Sequence, residues 1–266
     1  MTTMPSSLAL PAAARRSHTP GVARLYALET RYEFLKLIRL PHYSIGTIGF
    51  PVMFYLLFGL SLGRGGNGPK ASEYLLASYA VFGGVTAALF SFGVGVSTER
   101  ASGWMLLKRA APLPTSVYLA AKVLTCMLFG AVIVALLGIL GVTLGGVHFG
   151  IAQWAGLLAA VVFGCIPFCL IGLALGYVLP PTGAPGIVNL INLPLAFVGG
   201  LWLPYEMLPR FVQTIARFVP QYHLGRLALG TVGLVSDPLG YHIAALVGFT
   251  VLGFICAALA YRRSES

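Results

Sequence analysis

Between Thr98 and Pro114 the chain reads TERASGWMLLKRAAPLP, and Glu99, Arg100, Lys108 and Arg109 all fall inside it. After Lys122 no Asp, Glu, Lys or Arg appears until Glu206. Charge this sparse and this concentrated marks a place where the chain meets water or another protein. The order of signs fits a short helix. Thr98 suits the N-cap, Glu99 the positive first turn, and Lys108 and Arg109 the negative last turn. Pro112 and Pro114 would stop it, while Trp104, Met105, Leu106 and Leu107 supply apolar contact surface. The plainer alternative is a loop that carries its bases at the cytoplasmic membrane face.

Other sites of chemistry are scarce. No G-x-x-x-x-G-K-[ST] phosphate loop exists, and in GGNGPKAS (65–72) Pro69 precedes the lysine. There is no H-E-x-x-H, no G-x-S-x-G and no carboxylate pair within an apolar run, so no catalytic residue is assigned. Cys126, Cys165, Cys169 and Cys256 lie in apolar runs without metal-ligand spacing, and no metal site is expected. The apolar runs also lack the acids that couple transport to protons or sodium. Uphill movement of a solute by this chain would need energy from a partner. Two groups could line a path. Phe50, Phe54, Tyr55 and Phe58 crowd one run, and Tyr79, Phe82, Phe90 and Phe92 the next; they fit lipophilic cargo or lipid-facing packing. Asn189 and Asn192, three apart, could line a polar path or bond neighbouring helices. His223, beside Tyr222, could gate an exit or be a satisfied interfacial histidine. Glu206 stands four residues before Arg210, at pairing distance on a helix.

The elements that must position these residues follow from composition. Of 266 residues 58% are hydrophobic and 9% charged, whereas soluble domains carry about 25% charged residues. Long apolar runs favour membrane helices over a barrel. Six occur, at about 43–62, 74–96, 116–144, 154–179, 186–203 and 239–261. Residues 1–20 read as an unstructured cytosolic tail. In 21–41, Leu25, Leu28, Tyr32, Leu35 and Ile38 form one helical stripe, with Glu29, Glu33 and Lys36 on another face. That is an amphipathic helix lying in the interface. With a cytosolic amino terminus, twelve Lys and Arg fall inside and five (Arg64, Lys70, Arg210, Arg217, Arg226) outside. Both termini are therefore expected inside, and Thr98–Pro114 is the first cytoplasmic loop. The net charge of +10 reflects this asymmetry, not nucleic-acid binding. Residues 205–228 read as two short outer helices broken at Pro220, at the interface or re-entrant.

ERASGWMLLKRAAPLPTSVYLAAKVL resembles the segment E-R-x-x-G-x-x-x-x-L-x-x-x-P-[LV] of the membrane subunits of type 2 ATP-binding-cassette (ABC-2) exporters. Glu99, Arg100, Gly103 and Pro112 match, and Lys108 stands where Leu is more usual. NLINLPLAFVGGLWLPYEMLPRFVQTIARFVPQYHLGRL is similar to that family's fifth span and outer helices, through Asn189, Pro194, Phe197, Gly200, Pro204, Leu208 and Pro209, with the aromatic shifted to Trp202. The resemblance covers 21–263. It implies an all-α integral membrane protein: six transmembrane helices (43–263), the amphipathic interface helix, a cytoplasmic coupling helix and short outer helices. It also implies a half-transporter, with two permease subunits, here expected to form a homodimer, above two copies of a separate ABC ATPase. That ATPase would bind ATP and magnesium, and this chain would hold no cofactor. The coupling helix would dock on it through Glu99, Arg100, Gly103, Trp104, Leu107, Lys108 and Pro112. Phe54, Tyr55, Tyr79, Phe82, Asn189, Asn192 and Phe197 would line the path, and Pro204, Pro209, Pro220 and His223 the outer gate. The expected function is export of a small lipophilic, drug-like or lipidic molecule across a bacterial inner membrane. Alternatives are export of polysaccharide or lipid-linked glycan, a passive channel, or a membrane enzyme.

Overall fold

A computed structural model describes residues 22–61, 69–103 and 115–265. Among them every regular element is helical. Helix α1 is Val22–Ile38 and ends ahead of Pro41. Helix α2 covers 41–61. Its first wide turn, Ile45–Gly49, immediately precedes the helical residues Phe50–Phe54 that contain Pro51. A proline inside a helix removes one N–H, and a π-type turn lets the ladder step around the gap. Helix α3, Lys70–Ala101, widens in the same way at Phe90–Val94. Helix α4 is Thr115–Leu144. The next hairpin arm breaks at Cys165, giving α5 (Ile151–Gly164) and α6 (Ile166–Val178), with Pro167 in the first turn of α6. Helix α7 is Ala184–Val198. A single short turn, Tyr205–Met207, leads to α8 (Arg210–Ala216) and α9 (Pro220–Thr231). Helix α10 is Leu239–Glu265.

Among the described residues four helical stretches are long and apolar enough to cross a membrane: Lys70–Ala101, Ser116–Leu144, Ile151–Val178 and Leu239–Arg263. Ile45–Gly59 and Ala184–Val198 are shorter apolar helices at the places of the first and fifth expected spans. The fifth run was expected to reach 203, but α7 stops at Val198. Gly199 and Gly200 end it, and Gly200 takes φ +75°, a conformation open to glycine.

Helix α3 is the centre of the bundle. Its apolar window is 94% buried, against 17% for α10. Helices α2, α4, α6, α7 and α9 pack around it, and α10 sits outside on α6 and α9. Close approach is built from small residues. A Cβ on Gly176 of α6 would lie 2.5 Å from the Phe92 carbonyl oxygen of α3. Helix α9 is buried almost throughout, including Gln221 and His223, while neighbouring α8 exposes Phe211 and Ile215, and Phe218 is exposed in the turn between them.

Helix α1 turns its polar face inward. Thr30, Glu33 and Leu37 are buried, whereas Tyr32 and Ile38 of the apolar stripe are exposed. Those two residues are thus free to face lipid, while Leu25, Leu28 and Leu35 are half-buried and Glu33 serves the protein.

Candidate functional site

Three helices bring a compact ionic cluster together at one end of the bundle. Glu33 comes from α1, Glu99 from the last turn of α3, and Tyr118 and Lys122 from α4. Lys122 is 1% exposed. Its ammonium lies 2.5 Å from Glu33 Oε1 and 3.2 Å from Glu99 Oε1. Lys36 Nζ closes the ring, 2.5 Å from Glu99 Oε1 and 3.3 Å from Glu33 Oε2. The Tyr118 hydroxyl donates to Glu99 Oε2, and the Lys122 ammonium lies 5.3 Å from the centre of the Tyr118 ring. Two carboxylates and two ammoniums balance formally. Balance is required, because an unpaired ion removed from water costs several kcal/mol.

Arg100, the next residue, points about a quarter-turn away. Its Nη1 donates to the Gly176 carbonyl at 3.0 Å and to that of Tyr177. These are terminal carbonyls of α6, which have no partner within their own helix and lie at its negative pole. The guanidinium also lies over the Tyr177 ring, 5.5 Å from its centre. Ser97 Oγ donates to Leu179 O at 2.8 Å. One end of α3 is therefore fastened to α1 and α4 on one side and to α6 on the other.

This revises the local structure expected there. Thr98 does not cap a new helix. It lies inside α3 and returns its hydroxyl to Val94 O at 2.9 Å. Glu99 is consequently in the last turn of a helix, not the first. Its carboxylate meets the negative pole, and the two lysines and the tyrosine offset that placement. Gly103 follows the helix with φ +71°, and its N–H returns to Arg100 O at 3.2 Å. Trp104, Leu107, Lys108 and Pro112 lie outside the described residues. Glu33, Lys36, Tyr118 and Lys122 were not singled out from the sequence as a site. The available signal was Lys122 itself, a lone cation several residues inside an apolar run, which requires an acid nearby.

The other end of α3 borders an apolar cavity of about 620 Å³. Phe54 and Phe58 of α2, Tyr74 and Tyr79 of α3, Phe197 of α7 and Trp202 line it. The Phe54 ring is 6.0 Å from Tyr79 and 5.6 Å from Trp202. Phe50, Phe54 and Phe58 stack along α2 at 6.0 and 5.9 Å. Tyr74 donates to Gly200 O at 2.8 Å, which holds the turn that carries Trp202. The buried indole N–H of Trp202 has no partner.

The expected path residues divide. Phe54, Tyr79 and Phe197 share this cavity. Phe82 stands behind it, edge-on to Trp202 at 6.0 Å. Tyr55 turns inward, its hydroxyl 2.6 Å from Ser72 Oγ. Asn192 is buried and donates to Thr86 Oγ1 at 3.0 Å, which is the helix-bonding role, while Asn189 is exposed. The two asparagines are not brought together.

The segment from Pro204 to His242 holds a second polar network. Pro204 precedes the short turn, Pro209 precedes α8, and Pro220 starts α9. His223 is buried. Its Nε2 is 2.9 Å from Arg217 O, so it carries the proton there. Its Nδ1 then accepts from His242 Nδ1 at 3.1 Å. Burial pushes the His223 imidazole below its ordinary range. Arg226 Nε donates to Asp237 Oδ2 at 2.5 Å, and that bond holds the carboxyl low. Arg226 Nη1 also bonds Glu206 Oε1 at 2.7 Å. Glu206 thus pairs with Arg226, not Arg210, because Tyr205–Met207 is a separate turn from α8.

Comparison with known proteins places the chain in a family. The chain is similar to a putative transport permease, YvfS, of Bacillus subtilis (strain 168), with 25% identity over 237 residues covering 88% of this chain and 96% of that one. The family model described as ABC-2 type transporter matches residues 24–232, which contain most of α1, the ionic cluster, the aromatic cavity, α8 and α9. The chain therefore belongs to the ABC-2 type transporter family.

Proposed function

We propose that this chain is the permease subunit of an ATP-driven exporter for small lipophilic, drug-like or lipidic molecules, working as a homodimer above two copies of a separate ABC ATPase. The family supports the exporter class and the ATPase partner. One observation carries the finer reading: α3 joins the aromatic cavity at one end to the Glu99 and Arg100 fastenings at the other. Movement of residues 98–114 by the ATPase would reach the cavity through a helix buried in the bundle. Glu99 and Arg100 act in this scheme as positioning residues that carry force, while Trp104, Leu107, Lys108 and Pro112 supply the docking contact. Rocking between inward- and outward-open dimers would pass cargo between α2, α3 and α7 and out past Pro204, Pro209, Pro220 and His223. Such a chain sits in a bacterial inner membrane with both termini in the cytoplasm, and ATP and magnesium stay on the partner.

The aromatic lining of the cavity favours lipophilic cargo over polysaccharide or lipid-linked glycan. The test is reconstitution of the permease in proteoliposomes with and without the cognate ATPase. Efflux of a fluorescent lipophilic cation or lipid that needs both subunits and ATP supports the proposal. Flux without nucleotide would identify a channel, and chemical turnover of lipid by the chain alone an enzyme.

A further inference from the structure

The geometry points to a phospholipid site on the outer wall of the bundle: the groove between α1, α4 and α5 holds an acyl chain of an anionic glycerophospholipid, and Arg31 pairs with its phosphate. The groove has a volume of about 780 Å³. It exists because Ala27 of α1, Ala131 of α4 and Ala159 of α5 are too small to close the gap between their helices, and Phe34, Leu128 and Phe163 form the rest of its wall. Leu128 and Phe163 are exposed, so no described part of the protein covers them. Along α4 the lining runs from Leu124 to Ala131, about 10 Å of rise. That is a slot shaped for hydrocarbon, and it opens on a cation.

Arg31 is that cation. It is exposed and lies in the same groove, one turn beyond Ala27. Among the described residues it makes no ion pair, although α1 carries acids. Glu33 is held by Lys36 and Lys122. Arg24, also exposed, lies seven residues back on the same face and extends the positive strip. A planar guanidinium recognises a phosphate through paired hydrogen bonds, and a net negative headgroup adds attraction to such a strip. A second apolar groove, between α6 and α10, also reaches two arginines, Arg100 and Arg263, and Arg263 is already engaged. There Arg100 already spends its donors on Gly176 and Tyr177 carbonyls. The groove at α1 differs in offering a free guanidinium. A lipid seated there would brace the same helix that carries Glu33 and Lys36. This inference rests on the membrane setting and is independent of the cargo.

The test uses the purified full-length chain in detergent, titrated with phosphatidylglycerol or phosphatidylcholine and followed by native mass spectrometry. The expected result is one preferred phosphatidylglycerol site, with phosphatidylcholine bound about fivefold more weakly or less. Arg31→Gln should weaken phosphatidylglycerol about fivefold, and Ala131→Phe should abolish the site by filling the slot. Arg39→Gln, the removal of an exposed cation just past the end of α1 and outside the groove, should leave it unchanged. Equal losses for Arg31→Gln and Arg39→Gln would reveal diffuse attraction and overturn the site. So would equal binding of both lipids, or full binding by a folded Ala131→Phe protein. If Ala131→Phe does not fold, the comparison of the two arginine variants decides.

Discussion

Lys122 is a cation inside an apolar helix, tolerable because Glu33 and Glu99 each lie within 3.2 Å. Replacing it by methionine would leave two carboxylates facing each other with only the half-exposed Lys36 between them. Breaking a buried pair in this way costs about 3–5 kcal/mol. We expect Lys122→Met to lower the unfolding temperature sharply, and the triple replacement Lys122→Met, Glu33→Gln, Glu99→Gln to recover much of the loss. A triple variant no more stable than the single one would show that the cluster is not a charge-balanced unit. His223 allows a prediction of opposite character. Its folded pKa is lowered by burial, so the stability from its neutral form is present above the unfolded pKa of about 6.5. That stability is lost as pH falls through the folded value. Acidification from pH 7.5 to 5.5 should lower the hydrogen-exchange protection factors of α9, after correction for the intrinsic exchange rate, and His223→Gln should flatten the response. An unchanged pH response in His223→Gln would assign it to other groups.

At the scale of elements, packing of α6 against α3 depends on the absence of a side chain at Gly176, where a Cβ would meet backbone at 2.5 Å. Gly176→Ala must move one helix, at a cost of about 1–3 kcal/mol. Gly248→Ala, with nothing within 4 Å of the added carbon, should be neutral or slightly stabilising. A thermal unfolding comparison of the two variants checks this. The helices themselves were largely legible, since long apolar runs separated by Pro and Gly state where a chain can stay in hydrocarbon. The end of α7 was less so. Val198 and Leu203 are equally apolar, and only the Gly200 backbone conformation separates helix from turn. The charged stretch was legible as a place but not as a geometry. Its charges suggested an outward-facing helix, because Lys36, Glu33 and Lys122 are distant in sequence and nothing local pairs them with Glu99. Likewise the aromatic runs did not distinguish Phe54, which faces the cavity, from Tyr55, which turns to Ser72. Adjacent residues differ there by a helical rotation whose origin is set by the packing of α2 on α3.

For the whole molecule, the separation between Tyr74 and Glu99 along α3 is about 37 Å at the usual rise, with no described break in the helix between them. If that helix transmits displacement in the proposed way, its two ends should fail in different ways. Phe197→Ala removes a wall of the cavity but leaves the ionic fastenings untouched. We expect it to weaken cargo about three- to tenfold, as loss of one aromatic contact worth ~1 kcal/mol would, with basal ATP hydrolysis of the complex retained. Glu99→Gln keeps the side-chain shape and weakens the hold of Lys36, Lys122 and Tyr118. It should leave cargo affinity within twofold, while transport per ATP hydrolysed falls several-fold, because the partner's motion no longer reaches the cavity intact. The two quantities are separable by cargo-binding titration and by coupled efflux and hydrolysis measurements on the same proteoliposomes. If Glu99→Gln instead shifted cargo affinity and spared the transport-to-hydrolysis ratio, the ionic cluster would belong to the cargo path and α3 would not be the link between the two ends.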